Sequence, residues 1–200
     1  MEEKVLSDKF IRKYMRLAKQ VGEDLNPCMS RHIGVIIVNP VQNRILGTGY
    51  NGPPKNTPHP DEPVYLREVV WPQLTSTELE LLATKSITDV EQFVSQYGNK
   101  RICPRKIIGA ASGCRLELCS CEHAEKNAIV NACQDVHGSW MLCWCGIPCW
   151  DCSKLIINSG IIQLVCIDWG KDYSLMSRWL LEKKGIRIQM RNPETLDTVV

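Results

Sequence analysis

Between residues 123 and 190 the chain alternates between two periodicities, and this alternation constrains the fold more than any other feature. His123 to Val136 carries apolar residues at helical spacing, and Trp140 to Cys145 reads as a strand. Cys149 to Asn158 is helical again, with a stop near Gly160, and Ile162 to Asp168 is a strand. Tyr173 to Lys184 gives a further helix ended by Gly185, and Ile186 to Met190 a last strand. Helix and strand in regular succession fold as an α/β sheet with helices on both faces.

The first third of the chain supplies more of the same layers. Ser7 to Leu25 has apolar residues at 10, 11, 14, 15, 17, 18, 21 and 25, a helical stripe with Ser7 as N-cap. I-G-V-I-I-V at 33 to 38 reads as a buried strand, 39 to 44 as a turn, and I-L-G-T-G-Y at 45 to 50 as the paired strand. The prolines of 51 to 60 make that segment a loop. Residues 61 to 118 are the least regular, with short helices around 75 to 85 and 88 to 97, each opening on a Thr or Ser. The expectation is one domain over 1–200 with an irregular insertion at about 61–118.

Composition narrows the function. A formal charge of +2 gives no broad basic field, so no nucleic-acid partner is expected. The best apolar run, Ile33 to Val38, is only strand-sized, and no membrane partner is expected. The start, M-E-E-K-V-L-S-D-K-F, carries acids and no apolar signal core. The expected location is therefore the cytoplasm, of a cell or of a phage-infected host. Eleven cysteines, an odd number, would make a poor disulfide framework and in a reducing compartment point to metal or catalysis.

Their spacing points the same way. Cys149 and Cys152 lie at i and i+3 after Pro148, so both can face one point from a first helical turn. A helix N-terminus favours negative charge and so favours thiolates there. His123, at the start of the preceding helix, can add a neutral imidazole. Three ligands leave a fourth zinc position open, as in catalytic sites. Glu125, two residues from the histidine, is suited to take a proton from zinc-activated water and hand it to a substrate. That is the requirement for hydrolytic deamination, and H-x-E with P-C-x-x-C is the signature of zinc nucleobase deaminases.

Beyond that signature, S-R-H-I-G-V-I-I-V (30 to 38), G-T-G-Y-N-G-P-P (47 to 54), C-E-H-A-E-K-N-A-I (121 to 129) and P-C-W-D-C (148 to 152) resemble the deoxycytidylate (dCMP) deaminase family, phage-type members included. The resemblance implies a three-layer sandwich with a five-stranded mixed sheet, hexameric assembly, and zinc-dependent conversion of dCMP to dUMP for thymidylate synthesis. It also implies dCTP with Mg²⁺ and dTTP as effectors. By the same resemblance Ser30 and Arg31 approach the phosphate, Asn51 holds the sugar or base, Ala124 belongs to the substrate-binding set, and Gly49, Tyr50, Asn51 and Gly52 serve effector binding. A second, structural zinc is implied at Cys28, His59, Cys114 and Cys121. Cys133 and Cys166 read as ordinary core.

The chain departs from the family pattern at Cys143, where a tyrosine is usual, and at Cys145-Gly146-Ile147-Pro148, in place of T-L-x-P. Preference between dCMP and dCTP stays open on that account. Three other readings stand beside the leading one: a deaminase of a base within RNA or DNA, a non-catalytic zinc-stapled binding module, and a riboflavin-pathway deaminase. The first would want a basic or aromatic track, and the second has no use for Glu125.

Overall fold

The computed structural model describes residues 6–111, 113–170 and 175–199. In chain order its elements are α1 (Asp8–Asp24), β1 (Gly34–Asn39), β2 (Arg44–Tyr50) and α2 (Pro63–Tyr65), which runs into a π-helical turn (Leu66–Val70) and a 3-10 turn (Trp71–Gln73). Then come α3 (Ser76–Ala83), α4 (Val90–Tyr97), α5 (Pro104–Ile107) and a second 3-10 turn (Leu116–Leu118). The chain continues through α6 (Ala124–Val130), β3 (Trp140–Cys143), α7 (Trp150–Asn158), β4 (Gln163–Ile167), α8 (Leu175–Lys183) and β5 (Arg187–Arg191). These elements form two compact units. One holds the chain up to Pro27, His32–Asn51 and everything from His123 onward; the other holds Cys28–Arg31 and Gly52–Glu122.

The first unit is built on a five-stranded sheet in the order β2-β1-β3-β4-β5. β1 runs antiparallel to both its neighbours, while β3, β4 and β5 are parallel. Side chains alternate across it. Val35, Ile37, Met141, Cys143, Leu164 and Cys166 face Ala124 and Ala128 of α6, Ile156 of α7 and Leu181 of α8. Ile36, Val38, Trp140, Leu142, Val165 and Ile167 face Tyr14, Met15 and Ala18 of α1. The mixed α/β three-layer arrangement expected from the sequence is the one present. Burial on both faces explains why the strands read as continuous apolar runs.

One close approach sets the height of α6 over the sheet. A Cβ on Gly49 of β2 would lie 2.1 Å from the Ala124 carbonyl oxygen and 2.3 Å from the Ala128 nitrogen. Only a residue with no side chain lets helix and strand meet backbone to backbone there. The N-terminus of α6 is thereby seated directly above the end of β2.

Several boundaries differ from the sequence expectation. α6 ends at Val130 rather than 136, because Asn131 caps it and the Cys133 N–H donates to the Leu46 carbonyl instead of continuing the helix. β3 ends at Cys143, two residues early. Cys145 lies beyond the strand, its carbonyl accepting the Ile167 N–H at 2.8 Å. The helix expected at 173 to 184 is present as Leu175–Lys183, and its first two positions lie outside the described residues. Gly160 and Gly185 stop their helices at φ +73 and +76, left-handed values that glycine adopts without strain.

The second unit has its own apolar core of Leu66, Val70, Leu82, Phe93 and Leu118. α3 opens on the expected threonine: Thr75 and Glu78 form a reciprocal capping box. α4 opens on Asp89, one residue after the expected Thr88. The Asp89 carboxylate accepts the Gln92 N–H, and the Thr88 hydroxyl turns to the Gln92 side chain. Among the described residues no helix is long and apolar enough to cross a membrane.

Candidate active site

His123 and Cys149 are the N-cap residues of α6 and α7, both in extended backbone conformation. Extended geometry at a cap swings the side chain out from the helix end, and each points toward the other. Nδ1 of His123 lies 3.4 Å from Sγ of Cys149 and 3.4 Å from Sγ of Cys152. Among the described residues this trio is the one group of three or more His, Cys, Asp or Glu ligand atoms gathered within 4.8 Å of one another.

The donor set fits zinc. Tetrahedral Zn²⁺ with Zn–S about 2.3 Å and Zn–N about 2.0–2.1 Å holds N and S ligands roughly 3.5 Å apart. Two sulfurs and one imidazole nitrogen also suit its borderline softness. The electrostatics are those of ligands sharing protons. The Cys152 thiol donates to Cys149, and with His123 beside it Cys149 drops to about 4. The same bond, with burial, pushes Cys152 up. A metal that displaces the shared proton takes over the role of the hydrogen bond.

Glu125 sits in the first turn of α6 with only 4% of its surface exposed. Desolvation raises its carboxyl above the usual range, partly offset by the nearby His123. Cys152 lies close enough to influence it, and Sγ of Cys145 lies 3.9 Å from its Oε1. Cys145 is the group that sequence reasoning missed. Its place four residues before Cys149 was visible, but nothing in the spacing shows that a thiol beyond β3 reaches a glutamate on α6.

The other expected residues are distributed as follows. Asn51 is buried and its Oδ1 accepts the Ala124 N–H at 3.0 Å, so these two are brought together. Tyr50 ends β2, and its carbonyl accepts from the Asn127 amide at 2.9 Å, a contact with no sequence signal. Gly52 forms an antiparallel bridge with Glu122 in the second unit, where Ser30 and Arg31 lie exposed. The four residues of the expected second metal site are not gathered as the first trio is. His59 pairs with Asp61, and Cys114 is exposed, its carbonyl accepting from Arg105. Cys121 lies instead within hydrogen-bond range of Cys119 and Cys28. Cys103 is close enough to Cys119 and Cys28 to feel their charge.

A Cys₂His cluster at two helix starts, with a buried glutamate two residues after the histidine, is the construction of zinc-binding nucleobase deaminase domains. The chain belongs to the family described as the cytidine and deoxycytidylate deaminase zinc-binding region, whose model matches residues 8–168. Deoxycytidylate deaminase of Schizosaccharomyces pombe is 26% identical over 183 residues, 90% of this chain and 43% of that protein. The Saccharomyces cerevisiae deoxycytidylate deaminase is 28% identical over 153 residues, 76% of this chain and 35% of that one. The chain thus spans less than half the length of these relatives. Among solved structures, dCMP deaminase of cyanophage S-TIM5 in apo form has a TM-score of 0.54 at 18% identity, over 92% of this chain and 99% of that one. The same cyanophage enzyme in complex with dCMP and dUMP gives 0.54 at 20%, over 92% and 98%. At these identities the likeness is one of fold.

Proposed function

We propose that the protein is a zinc-dependent hydrolase that deaminates dCMP to dUMP with release of ammonia. The observation that carries this reading is the buried Glu125 carboxylate beside the His123–Cys149–Cys152 trio. A bound Zn²⁺ would supply Lewis acidity, bringing the pKa of water toward about 7. His123 offers Nδ1, and Cys149 and Cys152 offer thiolates favoured by the start of α7. Glu125 takes one proton from water as the water oxygen adds to the amine-bearing carbon and delivers it to the ring nitrogen; it then moves the remaining hydroxyl proton to the amine, which leaves as ammonia as the C–N bond breaks and the carbonyl forms. Its burial keeps competing bulk water from the proton path.

The finer parts of the reading rest on resemblance. Ser30 and Arg31 serve the phosphate, Arg31 through its planar fork; Asn51 serves the sugar or base, and Ala124 completes the substrate-binding set. dCTP with Mg²⁺ and dTTP act as effectors through Gly49, Tyr50, Asn51 and Gly52, and the assembly is a hexamer; action on dCTP as well rests instead on the departures from the family pattern at Cys143 and Cys145 to Pro148. Supply of thymidylate synthesis and a cytoplasmic location, in a cell or an infected host, belong to the same reading. A second structural zinc is proposed in the second unit. Cys28 and Cys121 of the expected set are supported there by their proximity, with Cys119 and Cys103 close to them. Two zinc ions per chain is the stoichiometry this predicts.

The test is ammonia release from dCMP, dCTP, deoxycytidine and a cytosine-containing oligonucleotide, with and without dCTP–Mg²⁺. Turnover of dCMP should fall at least about 10²-fold in Glu125→Gln while zinc is retained. Turnover of the oligonucleotide alone would overturn the reading in favour of a nucleic-acid deaminase.

A further inference from the structure

Cys145 has no task in the chemistry above, yet it touches the group on which that chemistry turns. Its Sγ lies 3.9 Å from Oε1 of Glu125, with the thiol donating and the carboxylate accepting. The residue is fixed from two directions. Its carbonyl accepts the Ile167 N–H at 2.8 Å, anchoring it to β4, and its thiol lies close to Cys143, which in turn is close to Cys166. Three thiols in a row thus run from the sheet to the glutamate. Cys145 also packs against the apolar cluster under α6 and α7, surroundings in which a thiol keeps its proton.

A glutamate that shuttles protons needs its carboxylate plane held, because the last side-chain torsion has only broad minima. Two thiols are placed to do this. Cys152 lies close to Glu125 as well, but its one proton is turned to Cys149 and is given up when it ligates a metal. The Cys145 thiol is then the donor that remains.

We propose that Cys145 is a positioning residue for Glu125: its S–H pins Oε1 and leaves Oε2 to carry the proton between water and substrate. The proposal rests on the deaminase reading for its catalytic consequence and on geometry alone for the hydrogen bond. It also gives a task to the residue at which the chain departs from the T-L-x-P pattern.

Two measurements test it. In steady-state turnover of dCMP by zinc-loaded protein, Cys145→Ala should lower kcat by about tenfold, the worth of one hydrogen bond to a charged group, with KM and zinc content unchanged. Cys145→Ser, which keeps a donor, should recover most of the loss. An unchanged kcat in the alanine variant overturns the proposal, and so does an equal loss in both variants, which would mean packing. The second measurement needs no substrate: the infrared S–H stretching band of Cys145, assigned by its disappearance in Cys145→Ala. Removing the acceptor in Glu125→Ala should move that band to higher frequency, and a band that stays put overturns the hydrogen bond. A wild-type protein inert toward dCMP whose band does shift would sink the deaminase reading and leave the thiol–carboxylate bond standing.

Discussion

Oδ1 of Asn51 accepts the backbone N–H of Ala124 at 3.0 Å, so a side chain leaving β2 satisfies one of the free donors at the start of α6. Both groups are buried. The residue assigned by resemblance to the substrate therefore also holds the turn that carries His123 and Glu125. Asn51→Ala should destabilise the protein by about 1–3 kcal/mol, the cost of a buried unsatisfied N–H. Asn51→Asp keeps the acceptor at a helix N-terminus, and its urea midpoint should stay close to wild type.

Gly49 gives a prediction with an internal control. Its missing Cβ leaves room for the Ala124 carbonyl, a backbone atom with nowhere to go. Gly49→Ala should cost about 2–3 kcal/mol from overpacking and weaken zinc retention, since α6 must lift. At Gly146 an added Cβ meets nothing nearer than 3.9 Å. Gly146→Ala should therefore stay within about 0.5 kcal/mol. Thermal melts and zinc content of the two variants decide the point.

Metal removal should be visible as chemistry on sulfur. Hydrogen bonding from Cys152 and the neighbouring His123 keep Cys149 at about 4, so at neutral pH the metal-free protein presents a thiolate at that position. After chelation, iodoacetamide should modify Cys149 well ahead of the buried Cys143 and Cys166, and restored Zn²⁺ should protect it. Peptide mass spectrometry after brief alkylation reads both. Equal labelling with and without metal would remove Cys149 from the ligand set.

Asp61 makes the stability of the second unit pH-dependent. Burial pushes its carboxyl up, but bonds from the His59 ring and the Arg101 N–H outweigh this and hold it below the usual value. A folded-state pKa below the unfolded one means the stabilisation is complete above the unfolded value and is lost as pH falls through the folded one. Urea midpoints should therefore drop below about pH 4. Asp61→Asn should lower the midpoint at pH 6 and flatten the acid limb.

What the sequence made legible follows the range of the forces involved. The strands announced themselves because burial on both faces leaves little but apolar residues in 34–39 and 163–167. The trio was legible because a metal demands fixed ligand types, and Pro148 before Cys149 fixes where a helix starts. The end of α6 was not, since it depends on the Cys133 N–H finding Leu46 across the chain. The second cysteine cluster was half legible. Cys121 with Cys28 is what the family resemblance implies, whereas the closeness of Cys119 and Cys103 depends on how the segment between 52 and 122 packs on itself. The His59 ring meets Asp61 two residues away, a local contact that cysteine and histidine counting overlooks.

The antiparallel pairing of β1 with β3 also dictates an order of assembly. Val35 sits opposite Cys143, about a hundred residues later in the chain, whereas β1 and β2 are joined by a short turn and β3 to β5 by single helical crossovers. The hairpin and the parallel half can each form from nearby pieces, but the central seam must wait for the whole span between them to be made and gathered. On the ribosome the inner edge of the β1–β2 hairpin therefore emerges bare, its hydrogen-bonding groups unpaired and the face of β1 away from α1 uncovered, and the edge stays so until residue 143 is free. That interval, rather than the finished protein, is when this chain is most open to pairing with another copy of itself.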